Sequence, residues 1–188
     1  MSSPVRVLAF SGSARKESWN RKLLAVAVEK LRAKGAQVNL VDLNQFEMPI
    51  FHGDLEEQTG MPPNATRLVE LIRHHDALLI ASPEYNSFPT PLLKNTIDWC
   101  TRADDDPFPG RVVAVISASP GNFGGISSLR HVRHLMLHLG CHVVPKFAVL
   151  PRAADAFDVN GGLKEARAAK ALDGVVSGLI DLASRLKA

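Results

Sequence analysis

The sequence predicts an α/β fold in which a doubly wound, five-stranded parallel sheet carries helices on both faces. Apolar segments of strand length alternate with longer segments whose apolar residues recur at helical spacing. The apolar segments are also continuous runs, such as VRVLAF at 5–10 and VVAVIS at 112–117. Runs of this kind are typical of parallel strands that are buried on both faces, because helices cover both sides of such a sheet.

Five strands and five helices account for most of the chain. The strands are predicted at 5–10, 38–43, 77–81, 112–117 and 142–150, and Pro145 interrupts the last, which indicates an edge position. Helices are predicted at 19–34, 65–74, from Thr90 and Pro91 onward, 123–139 and 163–186. The polar segment 44–64 is rich in Pro and Gly and is predicted to be a loop with little regular structure.

Length and composition predict one globular domain, 1–188. The chain has 188 residues, of which 46% are apolar and 22% charged, so it can bury a substantial core. It shows no apolar run of membrane-spanning length, and its first ten residues are too few for a signal peptide. Cys100 and Cys141 lack C-x-x-C spacing, so we expect a cytoplasmic protein without a membrane partner.

Charge and histidine spacing favour a small-molecule ligand over nucleic acid or metal. The formal charge of +3 and pI near 9.0 fit an anionic small molecule, while the dispersed Lys and Arg residues disfavour nucleic acid. His131, His134 and His138 share one helical face, a spacing that zinc can use, but no fourth ligand accompanies them. A solvated or subunit-facing stripe is the favoured interpretation, and no metal site is predicted.

The first loop, 11–20, has the composition of a phosphate site. It joins a strand to a helix, so backbone N–H groups and the positive end of the helix dipole can face an anion. Arg15 can add a charge-assisted contact. The polar side chains available are Ser11, Ser13, Ser18 and Asn20. The alternative is a solvated turn whose serines cap the helix, and Trp19 either leans over a ligand or packs against the first helix.

The second loop, 82–87, concentrates functional groups at the carboxyl end of a central strand, which is where open α/β sheets bind ligands. It holds a proline, an acid, an amide, a hydroxyl and Tyr85, the only tyrosine of the chain. Glu84 is a candidate proton donor. A structural role is favoured for it, for instance pairing with an arginine at a subunit contact.

The third loop, 117–125, follows the fourth strand and is rich in small residues. Ser and Gly residues there allow a flat ligand to approach the backbone, and Phe123 could touch a ring. A plain Gly-rich turn would look the same. A ligand-binding role for the third loop is favoured because the loop lies at the same edge of the sheet as the other two.

Together these motifs resemble the NADPH-dependent FMN reductases of flavodoxin-like fold, which include quinone, azo-dye and chromate reductases. The matching pieces are GSARKESWNR at 12–21, MPIF at 48–51, SPEYN at 82–86, LKNTIDW at 93–99 and GG at 124–125. The resemblance implies the strand order 2-1-3-4-5 and FMN as cofactor, with NADPH or NADH as co-substrate. It implies ping-pong transfer of electrons to quinones, flavins, azo dyes or metal oxyanions.

The resemblance also assigns residues to the cofactor. By this resemblance, the FMN phosphate and ribityl chain are bound by Ser11, Ser13, Arg15, Ser18 and Asn20, with Trp19 beside them. One side of the isoalloxazine is lined by Pro83, Glu84, Tyr85, Asn86 and Ser87, largely through their backbone. The opposite side is lined by Ser117, Gly121, Gly124 and Gly125. No side chain is assigned as a catalytic acid or base.

Two further expectations concern partners and rival functions. The family forms dimers or tetramers, and the segment 48–51 and the helix end at 98–102 are candidate contacts, although 48–51 could equally pack under its own chain. A flavodoxin-type electron carrier is the main rival, but such carriers tend to be strongly acidic. A phosphoacceptor domain is disfavoured because no acidic pair follows the first strand.

Overall fold

The computed structural model describes residues 3–187 and contains the predicted parallel sheet. In chain order the elements are β1 (Arg6–Ser11), α1 (Trp19–Ala33), β2 (Gln37–Val41), α2 (Gly53–Thr59), α3 (Pro63–Arg73), β3 (Ala77–Ala81), β4 (Glu84–Tyr85), β5 (Phe88–Pro89), α4 (Pro91–Cys100), β6 (Val112–Ala118), α5 (Ile126–His138), β7 (His142–Val143), β8 (Ala148–Leu150) and α6 (Ala166–Leu186). The strands pair in the order β2-β1-β3-β6-β7, and β8 also pairs with β6. All of these pairs are parallel, so the predicted order is confirmed.

The fifth strand is divided at the predicted proline. β7 pairs with Val112 and Val113, and β8 pairs with the last three residues of β6. Between these pairings the four residues 144–147 lie opposite only 114–115, so part of this segment leaves the ladder. Pro145 lies in this gap, where its missing N–H costs no ladder hydrogen bond. The predicted edge position is confirmed, because among residues 3–187 β7 and β8 pair with no strand other than β6.

The sheet separates two apolar layers, as expected for a doubly wound fold. Alternate residues of β1 point to opposite faces: Val7 and Ala9 pack with the buried side chains of α1 and α6. Leu8 and Phe10 pack with those of α3, α4 and α5. Within residues 3–187, no helix combines the length and the hydropathy needed to cross a bilayer.

Several local predictions were wrong. The segment 44–64 contains a 3-10 turn at Leu43–Gln45, the helix α2 and the start of α3. The His52 ring accepts a hydrogen bond from the Leu55 N–H at 3.2 Å and so caps α2, a role that the Gly- and Pro-rich composition obscured. α5 begins at Ile126 instead of 123 because Gly124 and Gly125 have φ of +62° and +82°, outside helical conformation. α6 begins at Ala166, three residues later than predicted.

Asp76 ties together the amino edge of the sheet, at the end remote from the three loops. Its carboxylate accepts hydrogen bonds from the Arg6 backbone N–H and from Lys187 Nζ, both at 2.8 Å. Burial raises the pKa of this carboxyl, but the hydrogen bonds from Arg6 and Lys187 together outweigh burial and lower the pKa from 3.8 to about 2. The ionised form of Asp76 therefore stabilises the folded chain.

Candidate functional site

A cleft at the carboxyl edge of the sheet brings the three predicted loops together. Its volume is about 240 Å³, and its lining residues are Ser13, Arg15, Ser18, Trp19, Asn20, Pro83, Glu84, Tyr85, Ala118, Ser119 and Pro120. A larger cavity of about 310 Å³ lies between residues 150–156 and the start of α6, away from the second loop. The parallel sheet explains the convergence, because β1, β3 and β6 are neighbours and all end at this edge.

The first loop presents an uncapped helix end to the cleft. Ser18 is the N-cap residue of α1, but its hydroxyl makes no capping hydrogen bond. Ser13 and Ser18 are buried, and the Ser13 hydroxyl accepts a hydrogen bond from the Arg15 N–H at 3.3 Å. The alternative in which serines cap the helix does not hold for Ser18. The positive end of α1 is therefore available to an anion in the cleft.

Asn20 clamps the first loop to the third. Its Nδ2 donates to the Ala118 carbonyl at 2.8 Å, and its Oδ1 accepts from the Ala118 N–H at 3.0 Å. Both polar atoms of this buried amide are thus engaged with the end of β6. Asn20 lines the cleft, its contact with FMN stays a prediction, and the observed contacts give it a positioning role that sequence reasoning missed.

Other positioning contacts brace the first loop from outside the cleft. The Thr90 hydroxyl donates to the Gly12 carbonyl at 2.6 Å and also accepts from the Leu93 N–H, which confirms Thr90 as the cap of α4. Asn44 donates to the Ala14 carbonyl at 3.1 Å. A Cβ at Gly12 would lie 2.8 Å from the Leu93 Cβ, so this glycine allows α4 to approach the loop.

The second loop is a β-hairpin formed by β4 and β5, an element that sequence reasoning missed. Its two-residue turn, Asn86-Ser87, has φ of +51° and +69°, which is the conformation of a type I′ turn. The Asn-Ser pair between Tyr85 and Phe88 is the signal that could have predicted it. Asn86 and Ser87 lie exposed at the hairpin tip and do not line the cleft.

The hairpin register directs one backbone donor away from β5. Glu84 is paired with Pro89, which has no N–H, so this pair cannot be a hydrogen-bonded pair. The Glu84 N–H therefore points away from β5 and finds no backbone partner among residues 3–187. A ligand beside the hairpin can accept a hydrogen bond from this group.

The Glu84 side chain has a structural role. Its Oε2 accepts a hydrogen bond at 2.9 Å from the N–H of Ser128, in the first turn of α5. A carboxylate at this position complements the positive end of the helix. The partner is a helix end, whereas the sequence suggested an arginine.

The third loop contributes its backbone and small side chains. Ala118, Ser119 and Pro120 line the cleft, although none of them was predicted as a site residue. Ser117, Gly121, Gly124 and Gly125 do not line it. The Ser117 hydroxyl donates to the Ser82 carbonyl at 2.7 Å inside the protein. The contacts of Ser117, Gly121, Gly124 and Gly125 with FMN stay predictions.

Ser11 lies apart from the cleft. The alternation along β1 turns its side chain toward α1, beside Arg21 and Leu24, in a separate cavity of about 240 Å³. Its buried hydroxyl has no hydrogen-bond partner among residues 3–187. A contact between Ser11 and a phosphate stays a prediction.

Trp19 and the histidine of α5 nearest the hairpin both stack on aromatic rings of the protein. Trp19 stacks on Phe157, which lies outside the first helix, with ring centroids 6.0 Å apart, and it also lines the cleft. Its contact with FMN stays a prediction. His131 stacks on Phe88 at 4.2 Å. Within residues 3–187, no three His, Cys, Asp or Glu side chains are grouped in a way that could hold a metal ion.

Comparison with known proteins decides the family. A family model described as NADPH-dependent FMN reductase matches residues 5–155. The chain belongs to this family. It is 37% identical over 169 residues to an NAD(P)H-dependent FMN reductase of Pseudomonas aeruginosa, covering 89% of each protein. It is 32% identical over 146 residues to a quinone reductase of Escherichia coli, covering 78% of this chain and 77% of the relative.

The fold agrees with this FMN reductase family. The flavoenzyme NAD(P)H:(acceptor) oxidoreductase FerB of Paracoccus denitrificans superposes with a TM-score of 0.80 at 29% identity, covering 96% of this chain and 98% of that one. The flavodoxin-like fold is confirmed. The predicted class of function is confirmed as well: the protein is an FMN-dependent NAD(P)H oxidoreductase.

Proposed function

We propose that the protein binds FMN in the three-loop cleft and uses it to reduce quinones or similar small acceptors with NAD(P)H. The observation that carries the proposal is the convergence of the three loops on one cleft, with eight predicted cofactor residues in its lining. These are Ser13, Arg15, Ser18, Trp19, Asn20, Pro83, Glu84 and Tyr85. When bound, FMN supplies the redox chemistry, taking a hydride from NAD(P)H and passing electrons to the acceptor in a ping-pong cycle.

The residues present suit the two ends of FMN. The uncapped start of α1 and the Arg15 guanidinium offer backbone donors and positive charge to the phosphate. The outward N–H of Glu84 suits the polar edge of the isoalloxazine. Ala118 and Ser119 are small enough for a flat ring to approach the backbone. The Asn86, Ser87, Ser117 and glycine contacts remain predictions.

Exposed apolar side chains support a homodimer or homotetramer. The exposed fractions are 58% for Phe88, 78% for Phe123 and 82% for Ile50. Segment 48–51 is held on α4, since Trp99 Nε1 donates to the Pro49 carbonyl at 2.7 Å, and it presents Ile50 outward. We also propose a single domain, 1–188, in the cytoplasm, which suits two buried, unpaired cysteines.

The test is reconstitution followed by turnover. The purified protein is expected to take up FMN, and NAD(P)H is expected to bleach the bound flavin and to be oxidised when a quinone is supplied. A protein that gains no flavin would contradict the cofactor. Bound FMN that NAD(P)H cannot bleach would favour the electron carrier.

Arg15 provides a sharper test of where FMN lies. Arg15→Ala is expected to weaken FMN binding about tenfold or more, because a hydrogen bond to a charged group is lost. Lys16→Ala is the matched control, since Lys16 is an exposed cation of the same loop that does not line the cleft. Equal FMN affinity in the two variants would show that the phosphate lies elsewhere.

A further inference from the structure

Three buried serines join the second loop to the third loop and to α5, directly behind the cleft. Ser82, Ser117 and Ser128 have no exposed surface. Ser128 Oγ donates to the Pro83 carbonyl at 2.8 Å and lies 2.8 Å from Ser82 Oγ. Ser117 Oγ donates to the Ser82 carbonyl at 2.7 Å. Neither the catalytic cycle nor the predicted site uses Ser82 or Ser128.

The distances indicate which hydroxyl donates and which accepts in this network. Each serine hydroxyl has one proton, so it can donate only one hydrogen bond at a time. Ser82 Oγ lies 3.3 Å from the Pro83 carbonyl, which is longer than the contact from Ser128. The shorter contacts form a chain in which Ser82 donates to Ser128 and Ser128 donates to Pro83. Ser128 is therefore the residue that holds the Pro83 carbonyl.

The position of the Pro83 carbonyl also sets the direction of the next backbone donor, the Glu84 N–H. No peptide bond within residues 3–187 is cis, and in a trans peptide the C=O and the next N–H point in opposite directions. With the Pro83 carbonyl turned toward α5, the Glu84 N–H points away from α5. Ser128 also holds the side chain of Glu84, because the Ser128 N–H donates to the Glu84 carboxylate at 2.9 Å.

We propose that Ser128 is a positioning residue of the flavin site. Through its hydroxyl and its N–H it fixes Pro83 and Glu84, two residues of the cleft wall, and so orients the backbone donor offered to the polar edge of the flavin. The inference rests on the proposed placement of FMN in the cleft. It predicts that Ser128, a buried residue of α5, affects the affinity for FMN and the absorption spectrum of bound FMN.

The test compares Ser128→Ala with a matched loss elsewhere. Thr96→Val also removes a buried hydroxyl, one that donates to the Leu92 carbonyl at 2.7 Å within α4 and does not line the cleft. Thr96→Val is expected to lose little stability, because the Thr96 hydroxyl only doubles a helical contact to the Leu92 carbonyl, and it controls for the loss of a buried hydroxyl as such. Only Ser128→Ala is expected to raise the FMN dissociation constant, by about tenfold, and to shift the visible absorption of bound FMN.

Unchanged FMN affinity and spectrum in Ser128→Ala would overturn the inference and leave Ser128 with a structural role alone. If Ser128→Ala does not fold, Ser128→Cys decides the question, because it keeps a small side chain at this position but replaces the hydroxyl by a thiol, a weaker donor to the Pro83 carbonyl. A severalfold rise in the dissociation constant of Ser128→Cys supports the inference, and no rise overturns it. Failure of the wild-type protein to bind FMN would instead contradict the proposed function.

Discussion

The Thr90 hydroxyl links the cap of α4 to the first loop, and its removal should show how strongly the two are coupled. Thr90 is only 2% exposed, and its hydroxyl both accepts from the Leu93 N–H and donates to the Gly12 carbonyl. Thr90→Ala removes both hydrogen bonds together with a buried methyl group. Thr90→Ser removes the methyl group alone and serves as the control.

The expected cost follows from these contacts. Loss of the N-cap costs about 1 kcal/mol, and loss of the buried hydrogen bond to Gly12 costs about 1 kcal/mol more. Loss of the methyl group costs about 0.8 kcal/mol in both variants. Thr90→Ala should therefore be less stable than wild type by about 3 kcal/mol, and Thr90→Ser by about 1 kcal/mol. The difference between them, about 2 kcal/mol, belongs to the hydroxyl.

Urea denaturation of the FMN-free proteins measures this difference, because bound ligand would add its own stabilisation. With a urea slope of about 2 kcal/mol/M, the two variants should differ by about 1 M in denaturation midpoint. FMN affinity should fall in Thr90→Ala as well, since the Gly12 carbonyl no longer anchors the loop. Variants that agree within about 0.5 kcal/mol would refute the assigned role of the hydroxyl.

Three further predictions concern pH, backbone and thiols. Asp76→Asn should lower the free energy of unfolding by about 1 kcal/mol at pH 7. It should also make the free energy of unfolding, measured by urea denaturation between pH 4 and pH 2, depend less on pH. The reason is that the stabilisation by ionised Asp76 is present above pH 4 and is lost as pH falls toward its folded pKa of about 2. Gly125→Ala should cost at least about 2 kcal/mol in urea denaturation, since φ is +82° and a Cβ would overlap a buried side chain, whereas Gly121→Ala should be nearly neutral. Burial raises the pKa of the Cys100 and Cys141 thiols to about 12, so iodoacetamide at pH 8 should label them only after unfolding; labelling of the native protein, detected by mass spectrometry, would contradict this.

The family motifs marked three loops that meet at one cleft, whereas the contacts of individual residues with FMN stay predictions. Eight predicted residues line the cleft, while Ser117, Gly124 and Gly125 instead shape the chain behind it. A motif marks where a ligand is approached, but it does not distinguish a residue that touches the ligand from one that lets the backbone turn. Gly125 illustrates this, because its positive φ and close neighbour explain the glycine without any ligand.

The sequence by itself determined the parallel sheet, most of its helices and the edge at which the three loops meet. These features follow from apolar periodicity and from parallel topology, which act over a few residues or over whole elements. The tertiary structure alone decided which polar groups meet, such as Asn20 with Ala118, 98 positions apart, and Thr90 with Gly12, 78 positions apart. The physical reason is that a hydrogen bond requires donor and acceptor to lie about 3 Å apart, and only packing sets such distances between remote segments.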